Sequence, residues 1–256
     1  MNGNFNNNNF TSTFPVVFNL LLINVIFLGA TWFLRMKFGI DLNEILGLHF
    51  ILAEKFHFYQ FFTYMFMHAG FNHIFFNMFA VYMFGRIFEM VWGGKKFLFY
   101  YLFAGIGAAI VQQVVWYIDY TVAIQHIDDV AQALNSIRTE GANILSQGLN
   151  YTDKYLGNLN ILLNNTTSVG ASGAVFGILL AFGYMFPQEK LFLFFIPIPI
   201  PARIFVIGYG VLELFLGVAN FSGDNIAHFA HLGGLLFGLF LLWFWKWRGR
   251  LFNRQM

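Results

Sequence analysis

Residues 168–177 read SVGASGAVFG, and they place one hydroxyl, that of Ser172, among glycines at the start of an apolar run. Gly173 and Gly177 are four residues apart, so they fall on one face of a helix. Small residues at this spacing let two membrane helices approach closely. The serine therefore has two interpretations, a packing residue bonded to its own backbone or a nucleophile. The rest of the chain decides between them.

The composition is that of a multi-span membrane protein. Of 256 residues, 58% are hydrophobic and only 10% are charged, whereas soluble domains carry about 25% charged residues. The formal net charge of +2 does not indicate a nucleic-acid partner. The absence of cysteine excludes disulfides and thiolate metal sites.

Six segments approach the ~20 residues that a helix needs to cross a bilayer. They predict an all-α membrane bundle with spans at 15–34, 73–92, 97–118, 171–186, 204–220 and 226–247. The Asn-rich leader, residues 1–14, lacks the basic start and the cleavage site of a signal peptide, so we expect it to stay attached.

Three stretches between the spans have a different character. Residues 38–72 are too apolar for a free loop and too interrupted to cross, which predicts a structure lying in the membrane interface. Residues 191–203, LFLFFIPIPIPAR, are predicted to be an extended connection at the cytoplasmic face because prolines break any helix. Residues 119–169 are mostly polar and form a long insertion on the outer side.

Lysine and arginine residues predict the orientation of the bundle. With both termini on one side, nine of the 14 basic residues lie on that side, which we expect to be cytoplasmic. Arg35 and Lys37, directly after the first span, run against this bias. The predicted location is a bacterial inner membrane, with both termini in the cytoplasm.

The sixth span supplies a candidate base for Ser172. Histidine is costly inside a membrane and tends to face a protein interior or a wet cavity. At about 100° per residue, one narrow stripe contains Ala227, His231, Gly234 and Gly238. The Gly173 face of the fourth span is the natural partner for this stripe, and that packing would bring His231 beside Ser172. His228, about 60° to one side, is a less suitable base that the spacing does not exclude.

The start of the second span supplies candidate donors to an oxyanion. His73 and Asn77 are four residues apart and share a helical face near the outer end of the span. The backbone N–H of Ser172, at a helix start, is a third candidate donor. His68 lies just before this helix.

Four motifs together resemble those of the rhomboid family of intramembrane serine proteases. The GxSG motif is matched by Gly170, Ala171, Ser172 and Gly173. The HxxxxHxxxN motif is matched by His68, His73 and Asn77, and the AHxxGxxxG helix by Ala230, His231, Gly234 and Gly238. The GxxxE motif at the end of the second span is matched by Gly85 and Glu89.

The resemblance implies a single rhomboid-like domain over residues 1–256 and a serine endopeptidase without metal or cofactor. Ser172 would be the nucleophile and His231 the general base in a dyad that needs no acidic third member, so Asp224 need not be recruited. His73 and Asn77 would stabilise the oxyanion. Phe176 stands where the family often has a tyrosine packed on the imidazole. The implied substrates are single-span membrane proteins, cut within or near their transmembrane helix after lateral entry between spans two and five.

Some residues depart from the family pattern or lack a partner. The Trp-Arg pair that the family often has after span one is replaced by Tyr59 and Gln60. Glu89 lies about 160° around its helix from His73, so we interpret it as a structural anchor to Arg86 or to neighbouring backbone.

Glu213 stands in the middle of the fifth span, where an ionised carboxylate is costly, and the sequence names no partner for it. We interpret it as a buried neutral carboxyl or one that reaches a polar pocket. It also supports a rival function, a proton-coupled transporter or channel that uses this carboxylate and the membrane histidines. A second rival is a rhomboid-like pseudoprotease that binds helices without cutting them.

Overall fold

A computed structural model describes residues 14–193, 196–219 and 227–252. The predicted leader lies outside the described residues except for its last member, Phe14. Asp224 and the connection between the fifth and sixth spans also lie outside them.

Six apolar helices form the bundle in the described part of the chain. They are α1 (Pro15–Phe38), α2 (Phe71–Trp92), α3 (Gly94–Ile124), α4 (Ser172–Met185), α5 (Ala202–Ala219) and α6 (His228–Trp247). Five of them are long and apolar enough to cross a membrane, and α4 is shorter, at 14 residues. Helix α2 contains a π-helical turn at Val81–Gly85. The predicted all-α membrane bundle is confirmed.

Two helices are longer than predicted. Helix α1 continues to Phe38, where Gly39 in the left-handed conformation, with φ of 68°, ends it. Helix α3 continues through Asp119 to Ile124 because the sequence there contains neither proline nor glycine. Its last turns are covered by the insertion, so the helix does not stop where the apolar span does.

Helix α4 is the centre of the bundle and packs against both α3 and α6, which also pack against each other. Its glycines allow this: a Cβ added at Gly177 would lie 2.6 Å from the Ala104 Cβ of α3. On the other side, a Cβ added at Gly234 would overlap the carbonyl oxygen of Gly173. The glycine faces predicted to join the fourth and sixth spans are therefore in direct backbone contact.

The segment between α1 and α2 is a structured loop with short helical turns. It contains the short helices Leu42–Leu46 and Gln60–Thr63 and the 3-10 turn Tyr64–Phe66. Gln60 is fully buried, and its amide accepts from the N–H groups of His49 and His57 and donates to two carbonyls. Gln60 thus fixes the loop from within.

The insertion forms helices packed on the end of α3. Their ranges are Val130–Ser136, the π turn Ile137–Gly141, Ala142–Ser146 and Lys154–Asn164. Ile137 and Leu159 bury a small cluster against Ala123 of α3. That the whole chain is one domain stays a prediction.

The proline-rich connection is a two-stranded antiparallel hairpin of β1 (Lys190–Leu193) and β2 (Ile196–Pro201). Proline alternates with isoleucine along β2, which suits an edge strand because proline has no N–H to donate. The predicted extended connection is present, and a hairpin gives it backbone partners.

Glu89 ties α2 to the start of α1. Its two carboxylate oxygens accept from the backbone N–H groups of Val16, at 2.9 Å, and Val17, at 2.8 Å. These amides belong to the first turn of α1 and have no acceptor within that helix. The predicted backbone anchor is present, but Arg86 is not part of it, since Arg86 contacts the ring and hydroxyl of Tyr82.

Replacing Glu89 by glutamine should lower the free energy of unfolding by about 1–3 kcal/mol, because one buried N–H would then face an amide NH2 group. Denaturant unfolding in detergent micelles measures the loss. Glu54→Gln is the matched control, since that carboxylate is exposed and pairs with the exposed side chain of Arg138, and it should change stability by about 0.5 kcal/mol or less. Equal effects of the two substitutions would contradict the anchoring role.

Candidate active site

A strained turn precedes Ser172. Gly170 has a φ of 127°, a conformation that other residues rarely adopt. Its N–H donates to the carbonyl of Tyr64 at 2.9 Å, and Ser168 pairs with Leu48 through two backbone hydrogen bonds. The loop between α1 and α2 therefore holds this turn in place.

Ser172 and His231 are brought together by the contact of α4 with α6. Ser172 is the first residue of α4, and its Oγ lies 2.9 Å from Nε2 of His231. Ser172 is half-buried and His231 is buried. A hydroxyl and an imidazole at this distance form a hydrogen bond in which the imidazole can accept the proton of the hydroxyl.

Phe176 fixes the plane of the imidazole. Its ring stacks on that of His231, with centroids 4.2 Å apart and planes 8° from parallel. Tyr209 of α5 packs against the same phenylalanine, with centroids 4.8 Å apart. Aromatic contact thus limits rotation of the His231 ring without a hydroxyl at position 176.

Glu213 completes the cluster, in a way that the sequence analysis missed. One of its carboxylate oxygens, Oε2, lies 2.9 Å from Nδ1 of His231 and 2.6 Å from Nδ1 of His228. The carboxyl thus reaches a polar cluster, as one of the two interpretations expected, and its partners are histidines of α6. The only signal in the sequence was the cost of a carboxylate in the middle of a span.

His73 and Asn77 of α2 stand beside the glycine turn. A Cβ added at Gly170 would lie 2.7 Å from Nε2 of His73 and 3.6 Å from Nδ2 of Asn77. The N–H of Ala69 points to Nδ1 of His73 at 3.4 Å, which leaves Nε2 to carry the ring proton. The buried Nδ2 of Asn77 has no hydrogen-bond acceptor among the residues that the structure describes. Two donors thus point toward the turn.

His68 lies in the loop before α2 and is buried against His73. The two rings meet edge to face, with centroids 5.0 Å apart. Burial, and secondarily the neighbouring His73, lower the pKa of His68 to about 3. His68 is therefore neutral at physiological pH and adds no charge to the site.

The remaining predicted glycines have structural positions. A Cβ added at Gly238 would lie 2.6 Å from the Tyr100 hydroxyl, which donates to the carbonyl of Gly177 at 2.8 Å. A Cβ added at Gly85 would lie 2.9 Å from the Phe97 ring. Gly238 thus keeps α6 in close contact with α3 and α4, and Gly85 keeps α2 in close contact with α3.

One group of side chains has the composition of a metal site. Glu213, His228 and His231 each offer a ligand atom, and these atoms lie within 4.8 Å of one another. The hydrogen bonds from both imidazoles to the same carboxylate oxygen account for this proximity without an ion.

Comparison with known proteins agrees with the site geometry. The family model described as Rhomboid domain matches residues 55–122 and 143–248. The chain belongs to the rhomboid family. The residues between the two matched ranges fall within the insertion, so the rhomboid core is interrupted there by a segment outside the family model.

Curated relatives carry the same family name. Rhomboid-like protein 11, chloroplastic, of Arabidopsis thaliana is 28% identical over 237 residues, which cover 84% of this chain and 64% of the relative. RHOMBOID-like protein 12, mitochondrial, of the same plant is 30% identical over 67% of this rhomboid and 42% of the relative. Rhomboid protein 1, mitochondrial, of Saccharomyces cerevisiae is 34% identical over 30% of this chain and 22% of the relative. The alignments span less than two thirds of each relative.

The apolar helices make this rhomboid an integral, multi-pass membrane protein. The names of the relatives give chloroplast and mitochondrion as their compartments. They give no support to the predicted bacterial inner membrane.

Gly170→Ala should destabilise this rhomboid by about 1–3 kcal/mol, because the new side chain would hold a strained φ and contact the His73 ring. Gly208→Ala is the matched control, since nothing lies within 4 Å of a Cβ added there. Thermal unfolding in detergent compares the two variants. If Gly170→Ala is as stable as Gly208→Ala, the turn does not need glycine.

Proposed function

We propose that this rhomboid is a serine endopeptidase that cuts transmembrane proteins within or near their membrane helix. The observation that carries the proposal is the 2.9 Å contact between Ser172 Oγ and His231 Nε2 inside a bundle of apolar helices. A hydroxyl paired with an imidazole is the arrangement that activates serine for attack on a carbonyl.

The reaction would proceed through an acyl-enzyme. Ser172 Oγ attacks the carbonyl carbon of the peptide bond while its proton moves to Nε2 of His231. The imidazolium then gives that proton to the leaving amine nitrogen as the C–N bond breaks. Nε2 of His231 then removes a proton from a water molecule, which attacks the ester of the acyl-enzyme. The same imidazole nitrogen passes that proton to Oγ of Ser172 as the ester bond breaks, which restores the hydroxyl.

Three donors support the negative charge that develops on the carbonyl oxygen. Nε2 of His73 and Nδ2 of Asn77 lie beside Gly170, two residues before the nucleophile. The backbone N–H of Ser172 belongs to the first turn of α4, where amides lack acceptors within the helix. In another serine protease, removal of one such donor lowers kcat by about 10²–10³-fold.

The substrate must lose its helical hydrogen bonds before its carbonyl can be attacked. We infer substrates with a single span and a stretch that weakens the helix. Helix α5 packs on α4 and α6, and its other side presents exposed apolar residues such as Ile207 and Val211. A substrate helix that enters from the lipid between α2 and α5 would contact this apolar side, which favours lateral entry.

The rival functions receive different support. The proton-path hypothesis joins Glu213 to the membrane histidines, and Glu213 is hydrogen-bonded to His228 and His231. That hypothesis gives no role to the contact between His231 and Ser172. The pseudoprotease hypothesis keeps the fold and predicts no cleavage, so it is separated from ours by activity alone. The bacterial inner membrane and the cytoplasmic position of both termini stay predictions.

Purified protein in lipid vesicles should cut a single-span reporter that carries a helix-weakening stretch. Ser172→Ala and His231→Ala should each lower kcat by about 10³-fold or more, and Asn77→Ala by about 10²-fold. Gel analysis of product over time measures the rates.

Ser146→Ala, which removes an exposed hydroxyl in the insertion, is the control and should cut at the parent rate. Cleavage by Ser172→Ala would refute the mechanism. A parent protein that binds such reporters without ever cutting them would instead establish the pseudoprotease.

A further inference from the structure

Glu213 lies where an unneeded carboxylate would be most costly. It stands in the middle of α5, and only 3% of it is exposed. A charged group at this depth persists when it is paired or serves a function. Both of its identified hydrogen-bond partners belong to α6, and one of them is the imidazole that contacts Ser172.

The hydrogen bonds determine where the ring proton of His231 resides. Oε2 of Glu213 faces two ring nitrogens, Nδ1 of His228 and Nδ1 of His231. An ionised carboxylate only accepts, so with Glu213 ionised, Nδ1 of His231 at 2.9 Å from Oε2 carries the proton. In a neutral imidazole the other nitrogen, Nε2, then has a free lone pair. That nitrogen is the one 2.9 Å from Ser172 Oγ. This tautomer is the one that a general base requires.

His228 holds the carboxylate in this position. Its Nδ1 lies 2.6 Å from the same oxygen, and its ring is nearly perpendicular to that of His231, at 87°. The carboxylate is therefore bound from two directions, and a rotation of Glu213 away from His231 would break the bond to His228 as well.

We propose that Glu213 is a positioning residue that makes the Ser172–His231 pair part of a Ser–His–Glu chain, with His228 as the second support of the carboxylate. The inference rests on the proposed function. Glu213 fixes the tautomer and the orientation of His231, and it stabilises the imidazolium that forms when Ser172 loses its proton. The described hydrogen bonds of Glu213 go to histidines and Ser172 Oγ is hydrogen-bonded to His231, so Glu213 acts through the histidine.

A merely structural role for Glu213 predicts a different result from a positioning role. A structural carboxylate lowers stability when it is lost and leaves the turnover of the folded fraction unchanged. A positioning carboxylate changes the turnover of folded protein while substrate binding stays the same, because its effect appears when the proton moves.

The first experiment compares Glu213→Gln with the parent in lipid vesicles, using the single-span reporter and counting only folded protein. We expect kcat to fall by about 10²–10⁴-fold with KM unchanged, by analogy with the loss of the triad carboxylate in other serine proteases. His228→Gln should fall between the parent and Glu213→Gln. Glu189→Gln, the same change on an exposed carboxylate, is the control and should keep the parent rate. An unchanged kcat in Glu213→Gln would overturn the proposal.

The second experiment needs no folded Glu213 variant. Nitrogen NMR of the parent, labelled with ¹⁵N at histidine, reads which ring nitrogen of His231 carries the proton, and the signals that vanish in His231→Gln assign that residue. We expect protonated Nδ1 and unprotonated Nε2 at neutral pH. The opposite tautomer would overturn the proposal, because Glu213 would then not be accepting from His231.

A fluorophosphonate that labels activated serines separates this inference from the proposed function. If the parent labels at Ser172 and Glu213→Gln labels more slowly by a similar factor to its loss in kcat, both stand. If the parent labels and cuts and Glu213→Gln equals it, the inference about Glu213 fails alone. If the parent neither labels nor cuts, the proposed function fails, and the inference about Glu213 falls with it.

Discussion

The backbone contact between α4 and α6 is the constraint on which the site depends. A Cβ added at Gly234 would overlap the backbone of Gly173, and a Cβ added at Gly173 would overlap the Ala108 Cβ of α3. Ser172 precedes the first glycine directly, and His231 lies about one turn before the second. The separation of the two helices that carry the hydroxyl and the imidazole is therefore set by close main-chain packing.

A polar site inside an apolar bundle is stable because most of its polar groups have partners. The hydroxyls of Tyr64 and Tyr100 donate to backbone carbonyls of α3 and α4, and Glu213 accepts from two imidazoles. Asn77 differs, since its buried amide nitrogen lacks an acceptor among the described residues. A buried donor left without an acceptor costs free energy. An oxyanion that forms beside Asn77 would accept from this donor and remove that cost.

The sequence predicted features that depend on local periodicity. The glycine stripes, the apolar helices and the positions of Ser172 and His231 near helix ends all follow from spacing along single helices. The partners of Glu213 were not predictable in this way, because they depend on how α5 is rotated against α6. The length of α3 escaped prediction for a related reason, since its final turns pack against the insertion instead of the other spans.

The bond between Glu89 and the start of α1 has a consequence for assembly in the membrane. The first amides of α1 acquire their acceptors only when a residue more than seventy positions later reaches the same side of the bilayer. Until then those amides depend on water or lipid headgroups. The first two helices thus become hydrogen-bonded to each other at this end only when the second is complete.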